Sequence, residues 1–201
     1  MPAGTYTIIG DEGDPVGTER FRCAEGAVGW RYFSEIDTTE NGAHHETVDV
    51  VVDADWRIAR LRIDSGAHQL FLEPSEDELS GWHDGRELAV AWARDDHLDY
   101  LTPATNLVTT KRLTAATELE VVFIEPFTLV PTRDHQRYDL GGDETVDTPV
   151  GRFAATRWTY TSLESGWSSD LWVSGDVVVR YDRIFELVSY EPGAHGPRVI
   201  G

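Results

Sequence analysis

One cysteine, one methionine and one lysine stand among the 201 residues of this chain. The lone cysteine, Cys23, excludes an intramolecular disulfide. The lone lysine, Lys111, belongs to a wider shortage of basic charge. Lys and Arg number 17 against 36 Asp and Glu, a formal net charge of −19. Phosphate backbones and anionic bilayers are gripped by clustered Lys and Arg, so this balance excludes generic nucleic-acid binding and disfavours an anionic membrane surface. No apolar run approaches the ~20 residues of a membrane-spanning helix. Residues 1–14 lack both a basic start and the ~7–15-residue apolar stretch of a secretory leader, so a cytoplasmic protein is expected. Also missing are G-x-S-x-G, G-x-G-x-x-G and Walker sequences, which removes the motif support for a nucleophile elbow or a nucleotide cradle. Cys23 lies in Arg22-Cys23-Ala24-Glu25, which is no nucleophile signature. A small buried hydrophobe is the expected role.

What is present is globular: 40% hydrophobic, 10% aromatic and 26% charged residues. No Pro- or Ser-rich linker and no fixed-period repeat divides the chain, so one domain over 1–201 is expected, with 1–18 a loose or edge segment and 192–201 a tail. The middle reads as short β-branched and aromatic strands separated by turn residues. In 44–52 (H-H-E-T-V-D-V-V-V), Val48, Val50 and Val52 share one parity. Further strands are expected at 56–63, 69–72, 118–124, 136–140, 153–161, 168–173, 177–181 and 185–191. Asp84-Gly85, Gly141-Gly142 and Gly175-Asp176 supply the positive φ of tight hairpin turns. One place breaks the pattern. Thr102-Pro103 offers an N-cap followed by proline at the first helical position, and Ala104, Leu107 and Val108 recur at helical spacing. A helix is therefore expected over 103–112, inside a mainly β fold: a curled antiparallel sheet, barrel or half-barrel.

Candidate chemistry is sparse. Asp95, His97 and Asp99 share a face if they form a strand, and two carboxylates with an imidazole suit a divalent ion. An acidic protein presents such trios on any charged outer face, so neither a metal nor another cofactor is expected, and no catalytic residue is assigned. His44 and His45 are adjacent and point to opposite faces of a strand. Carboxylate pairs such as Glu76 and Glu78 carry no specific signal. The seven tryptophans say more. Trp158 and Tyr160 share a parity, Trp172 follows in the next strand and Tyr181 in the one after. If these strands pair, their rings line one concave face able to hold acyl chains or sugars.

The stretch Leu101-Thr102-Pro103-Ala104-Thr105-Asn106 through Lys111-Arg112-Leu113 resembles the bacterial family of putative glycolipid-binding proteins, whose signature there is T-P-F-T-N followed by paired basic residues and a leucine. Ala104 replaces the family's phenylalanine, Val108-Thr109 a leucine-proline step and Lys111 an arginine. Asp55-Trp56, Trp82-His83-Asp84-Gly85, residues 125–130 (E-P-F-T-L-V), Gln136-Arg137-Tyr138, Tyr160-Thr161-Ser162, residues 169–173 (S-D-L-W-V) and residues 178–181 (V-V-R-Y) are similar to it as well. The resemblance spans about 23–190. It implies the fold of bacterial lipoprotein carriers, an unfinished barrel of antiparallel strands closed by a helical plug. The expected function is non-catalytic binding of an amphipathic ligand, a glycolipid or lipid, by Asn106, Arg112, Tyr138, Trp158, Tyr160, Trp172 and Tyr181. Two alternatives stand beside it: an enzyme acting on a small lipid or glycoside, with His83, His135 or Tyr138 as acid or base, and a protein-interaction module.

The charge balance carries a prediction of its own. High Asp and Glu with a single lysine fits a salt-rich host, where ions screen self-repulsion. The melting temperature should rise substantially from low to molar KCl; a flat profile removes the halophilic reading.

Overall fold

Among the described residues, fifteen strands and one helix follow one another: β1 (Ala3–Ile9), β2 (Pro15–Gly26), β3 (Gly29–Thr38), β4 (His44–Asp53), β5 (Ile58–Asp64), β6 (Gln69–Pro74), β7 (Glu78–His83), β8 (Arg86–Ala91), β9 (His97–Asp99), α1 (Pro103–Arg112), β10 (Thr117–Ile124), β11 (Pro131–Thr148), β12 (Gly151–Ser162), β13 (Ser168–Ser174), β14 (Val177–Tyr181) and β15 (Phe185–Glu191). The structure, a computed structural model, describes residues 1–26, 29–39, 42–193, 196–197 and 199–200. All fifteen strands belong to one curled sheet that does not close into a barrel, in the order β8-β7-β6-β5-β4-β3-β2-β1-β15-β14-β13-β12-β11-β10-β9. Neighbours are antiparallel throughout except β9 and β10, which run parallel. The mainly β, curled sheet with one helix is the architecture expected from the sequence.

Two meanders build it. From β1 to β8, and from β10 to β15, each strand pairs with the next in sequence. They join where β1 lies against β15, from Ala3 opposite Glu191 to Ile8 opposite Phe185. At the other end β8 and β9 are the free edges, so the sheet has an open seam. Arg133, on β11, reaches across from one side, with Nη1 donating to Asp96 at 2.8 Å and Nη2 donating to the Ala91 carbonyl.

Alternation fixes which face is concave. Val48, Val50 and Val52 of β4 are fully buried, as are Leu61 and Ile63 of β5, Leu70 and Leu72 of β6, and Leu171 of β13. This one-sided burial is what period-two patterning dictates. Helix α1 fills the hollow, packing on β4, β9 and β14. It has the bounds expected from the sequence: Thr102 caps it in extended conformation, Pro103 follows at the first helical position, and Lys111 and Arg112 occupy the last turn. Its first eight residues, 103–110, are all buried.

Three local readings need correction. Residues 3–9 are not a loose segment: Tyr6 and Ile8 point into the core and β1 lies between β2 and β15. Gly and Asp residues crowd only the 10–14 turn beyond it. Gly141-Gly142 is not a hairpin turn. Strand β11 continues through it with a register shift, Gly142 sitting at φ 92 as a bulge. Trp56 begins no strand; at φ 60 it sits in the turn between β4 and β5. The Asp84-Gly85 turn is as expected, with φ 51 and 73. Of the expected tail, residues 194, 195, 198 and 201 lie outside the described ones, while Ile200 bridges Arg152.

Leu107, on α1, is 1% exposed within this core. Leu107→Ala should lower unfolding free energy by about 2–5 kcal/mol, read from urea denaturation. A change below 1 kcal/mol would show that the helix is not packed as described.

Candidate functional site

A helix of mixed composition can be buried only if its polar groups find partners. Around the start of α1 they do. Thr102 Oγ1 donates to Glu19 Oε1 at 2.7 Å, and Tyr32 Oη donates to the same oxygen at 2.8 Å. Thr105 Oγ1 lies 2.8 Å from the Tyr100 carbonyl and 3.1 Å from Asp99 Oδ1. Gln136 Nε2 donates to Asp99 Oδ2 at 2.7 Å. Tyr138 Oη donates to Asn106 Oδ1 at 2.9 Å, and Tyr100 Oη meets both oxygens of Glu46 at 2.8 and 2.9 Å.

Two of these carboxyls are far from their solution behaviour. Burial pushes Glu19 up to about 7, although the Thr102 and Tyr32 hydroxyls favour its charged form. Burial likewise pushes Asp99 up to about 6 against the bonds from Gln136 and Thr105. Glu19 Oε2 and Gln136 Oε1 are buried without a partner. Such surroundings shift both carboxyls toward the neutral acid.

Beside this frame opens a cleft of about 560 Å³, within the usual ~300–1,000 Å³ of small-molecule sites. Three segments meet there: residues 8–13, from the end of β1 into the turn after it, residues 183–185, from the β14–β15 turn to the start of β15, and residues 99–102 leading into α1. Asp99, Thr102 and Asn106 give it a polar floor. Leu101, Phe123, Trp167, Tyr181 and Phe185 contribute apolar walls. Trp167 is 39% exposed and packs against the Tyr160 ring with centroids 5.6 Å apart.

The structure gathers some sequence candidates and disperses others. Asn106, Tyr160 and Tyr181 line the cleft. Tyr138 stands one layer behind, holding Asn106. Trp158 is a core residue, 4% exposed. Trp172 is on the other face. The register sets Trp158 opposite Leu171 and Trp172 opposite Arg157 and Arg180, and the Arg180 guanidinium lies 4.9 Å from the Trp172 ring centroid. Its indole Nε1 donates to Glu144. Arg112, at the far end of α1, is a clamp on the preceding loop: Nη1 donates to the Asp96 carbonyl at 2.9 Å and Nη2 to the Asp95 carbonyl at 3.1 Å. The trio Asp95, His97 and Asp99 does not assemble. Asp95 is exposed, Asp99 faces Gln136, and His97, held well below its usual value at about 4 by burial and by the Arg112 charge, meets Thr109. Of the acid–base candidates, His135 is exposed beside Glu120 and His83 bonds the Thr128 carbonyl.

Sequence reasoning missed Arg183 and Trp167. Arg183 sits at φ 63 in the β14–β15 turn, lines the cleft and donates from Nη2 to the Ser168 carbonyl at 2.5 Å. Both lie in turns, where no periodicity marks a side chain; the run Tyr181-Asp182-Arg183 between two strands is the only signal.

The profile of the family described as "Putative glycolipid-binding" matches residues 11–186. The chain belongs to that family. Two crystal structures share the fold. One is a DUF1089-family protein of Pseudomonas aeruginosa, 20% identical with a TM-score of 0.58, covering 84% of this chain and 91% of its own. The other is a beta-barrel-like protein of domain of unknown function DUF1849 from Brucella abortus, 8% identical with a TM-score of 0.55, covering 94% of this chain and 96% of its own. No curated protein matches. Among the described residues no helix is long and apolar enough to cross a membrane.

The buried Glu19 links stability to pH. Its value is raised from 4.5 to about 7 on folding, so the folded state holds its proton more tightly. Stability from this group is complete below pH 4.5 and is lost as pH rises through 7, at about 1.4 kcal/mol per unit. Glu19→Gln keeps an acceptor for Thr102 and Tyr32 and carries no charge. It should flatten the fall in urea-unfolding free energy between pH 5 and 8; an unchanged slope would place the titration elsewhere.

Proposed function

We propose that the chain binds an amphipathic ligand in the 560 Å³ cleft, without chemistry, the apolar part against Leu101, Phe123, Trp167 and Phe185 and the polar part at Asp99, Thr102 and Asn106. The observation that carries the reading is this division of the lining, since an apolar wall ending in a few convergent polar groups suits a molecule divided the same way. The family description, putative glycolipid-binding, supports a lipid with a sugar-like head. Sugar hydroxyls need both donors and acceptors. Asn106 supplies an amide N–H and the Thr102 hydroxyl oxygen an acceptor, while Asp99 accepts when ionised and becomes a donor as it protonates near pH 6. Trp167, half-exposed at the mouth, offers a ring face to a sugar or an alkyl chain. The enzyme alternative rests on Asp99, which with a value of about 6 is an acid near neutrality inside the cleft.

Dodecyl maltoside, kept below its micelle concentration, is a suitable probe for titrating tryptophan fluorescence. Wild type should saturate at one equivalent, and maltose alone should leave the signal unchanged. Leu101 is 51% exposed, so Leu101→Glu should fold normally while placing a charge on the apolar wall. It should weaken dodecyl maltoside by about tenfold or more, the worth of one buried leucine. No saturation by wild type, or equal binding by the variant, would move the ligand out of this cleft.

A further inference from the structure

The open seam carries a second constellation, remote from the cleft lining. In the β6–β7 hairpin Leu70 lies opposite His83, so His68, just before β6, comes beside His83 and Asp84 at the end of β7. His68 Nδ1 is 2.7 Å from Asp84 Oδ2, and His83 Nε2 is 3.8 Å from the same oxygen. One ligand atom from each of the three falls within 4.8 Å of the other two. The other carboxylate oxygen, Asp84 Oδ1, accepts the Gln69 backbone N–H at 2.8 Å. That bond fixes the carboxylate with Oδ2 turned to the imidazoles. Asp84 and Gly85, at φ 51 and 73, form the tight turn that holds the residue in place.

We propose that His68, His83 and Asp84 bind a divalent ion of the zinc class. Two imidazoles and one carboxylate are the donor set such ions take, whereas calcium and magnesium call for oxygen ligands. Bonds of about 2.0–2.2 Å put tetrahedral ligand atoms roughly 3.3–3.6 Å apart. The present separations of 2.7 and 3.8 Å bracket that span, so shifts of the side chains alone suffice. The bond at Asp84 Oδ1 is the outer-shell support that orients a ligating carboxylate. A further oxygen is at hand from the opposite side of the seam: the Thr128 carbonyl, in the loop between β10 and β11, is 2.9 Å from His83 Nε2. An ion here therefore joins the β6–β8 edge to the β10–β11 loop and ties together what the sheet leaves open. The site differs from the Asp95, His97 and Asp99 trio considered in the sequence, and it is independent of ligand capture in the cleft.

Cobalt(II) serves as a spectroscopic stand-in for zinc, titrated into protein without a histidine tag. One equivalent should bind with visible ligand-field bands of tetrahedral intensity, and zinc should displace it. His68→Gln, His83→Gln and Asp84→Asn should each weaken cobalt at least tenfold. His45→Gln removes an imidazole from an equally close pair, 2.7 Å from Asp37, that has no third ligand among the described residues, and should leave binding unchanged. Saturating zinc should raise the wild-type melting temperature by roughly 5–10 °C, and that rise should vanish in the His68→Gln/His83→Gln double variant. Undiminished cobalt binding by the double variant, or no saturable binding by wild type below ~100 μM, would overturn the site. Circular dichroism identical to wild type establishes that each exposed-site variant is folded; if one is not, Asp84→Asn, which preserves the turn and the Gln69 bond, decides alone.

Discussion

A curled sheet whose edges do not meet leaves its concave face uncovered, and everything else in this protein answers that constraint. Helix α1 supplies the cover, and the cover is chemically awkward, because Thr105, Asn106, Thr109 and Thr110 are buried along with Ala104, Leu107 and Val108. Apolar packing alone could not hold such a helix. The bond from Thr102 to Glu19, 83 residues away, and the Asn106–Tyr138 bond across 32 residues fix its start against opposite halves of the sheet. With the helix so placed, its first turn stands at the rim of the hollow, where the cleft opens.

That arrangement puts acids where an acidic protein least needs them. Glu19, Glu46 and Asp99 converge on the segment entering α1, and all three are buried. Hydrogen-bond donors favour the ionised forms of Glu19 and Asp99, desolvation opposes them, and desolvation wins. The result is a polar floor whose Asp99, raised only to about 6, keeps most of its negative charge at physiological pH, within a molecule whose outside is strongly negative. A neutral polar head suits such a floor better than an anionic one.

Much of the fold was legible because single residues decide single features. Thr102-Pro103 set the helix start, and the Val48, Val50 and Val52 alternation set the concave face. Strands β1 to β3 were less legible: Glu19 and Ser34 are polar on the buried parity, which breaks the apolar rhythm that marks a half-buried strand. Gly141-Gly142 has the composition of a turn, and only pairing with Arg157 shows it to be a bulge. Of the cleft lining, Asn106, Tyr160 and Tyr181 were legible because they sit on regular elements. Trp172 was misplaced because parity within β13 says nothing about register to β12. The charged Arg180 opposite it is the residue that marks its face as the outer one. Arg112 has the look of a ligand hook, yet its guanidinium is spent on the carbonyls of Asp95 and Asp96.

The junction of β1 with β15 has a consequence for how the chain reaches this state. Within each meander a strand finds its partner a few residues away, but β1 acquires its second neighbour from residues some 180 positions later, Ala3 meeting Glu191. During synthesis the first meander is complete while one flank of β1 still has nothing to pair with. That flank carries Tyr6 and Ile8, apolar and β-prone. Long-range pairing of this kind is slow, and an unpaired edge invites a neighbouring copy to take the missing strand's place. The last hairpin to be made is therefore the one on which protection of the first strand depends, and crowding of nascent chains, more than weakness of the finished sheet, is the hazard this topology sets.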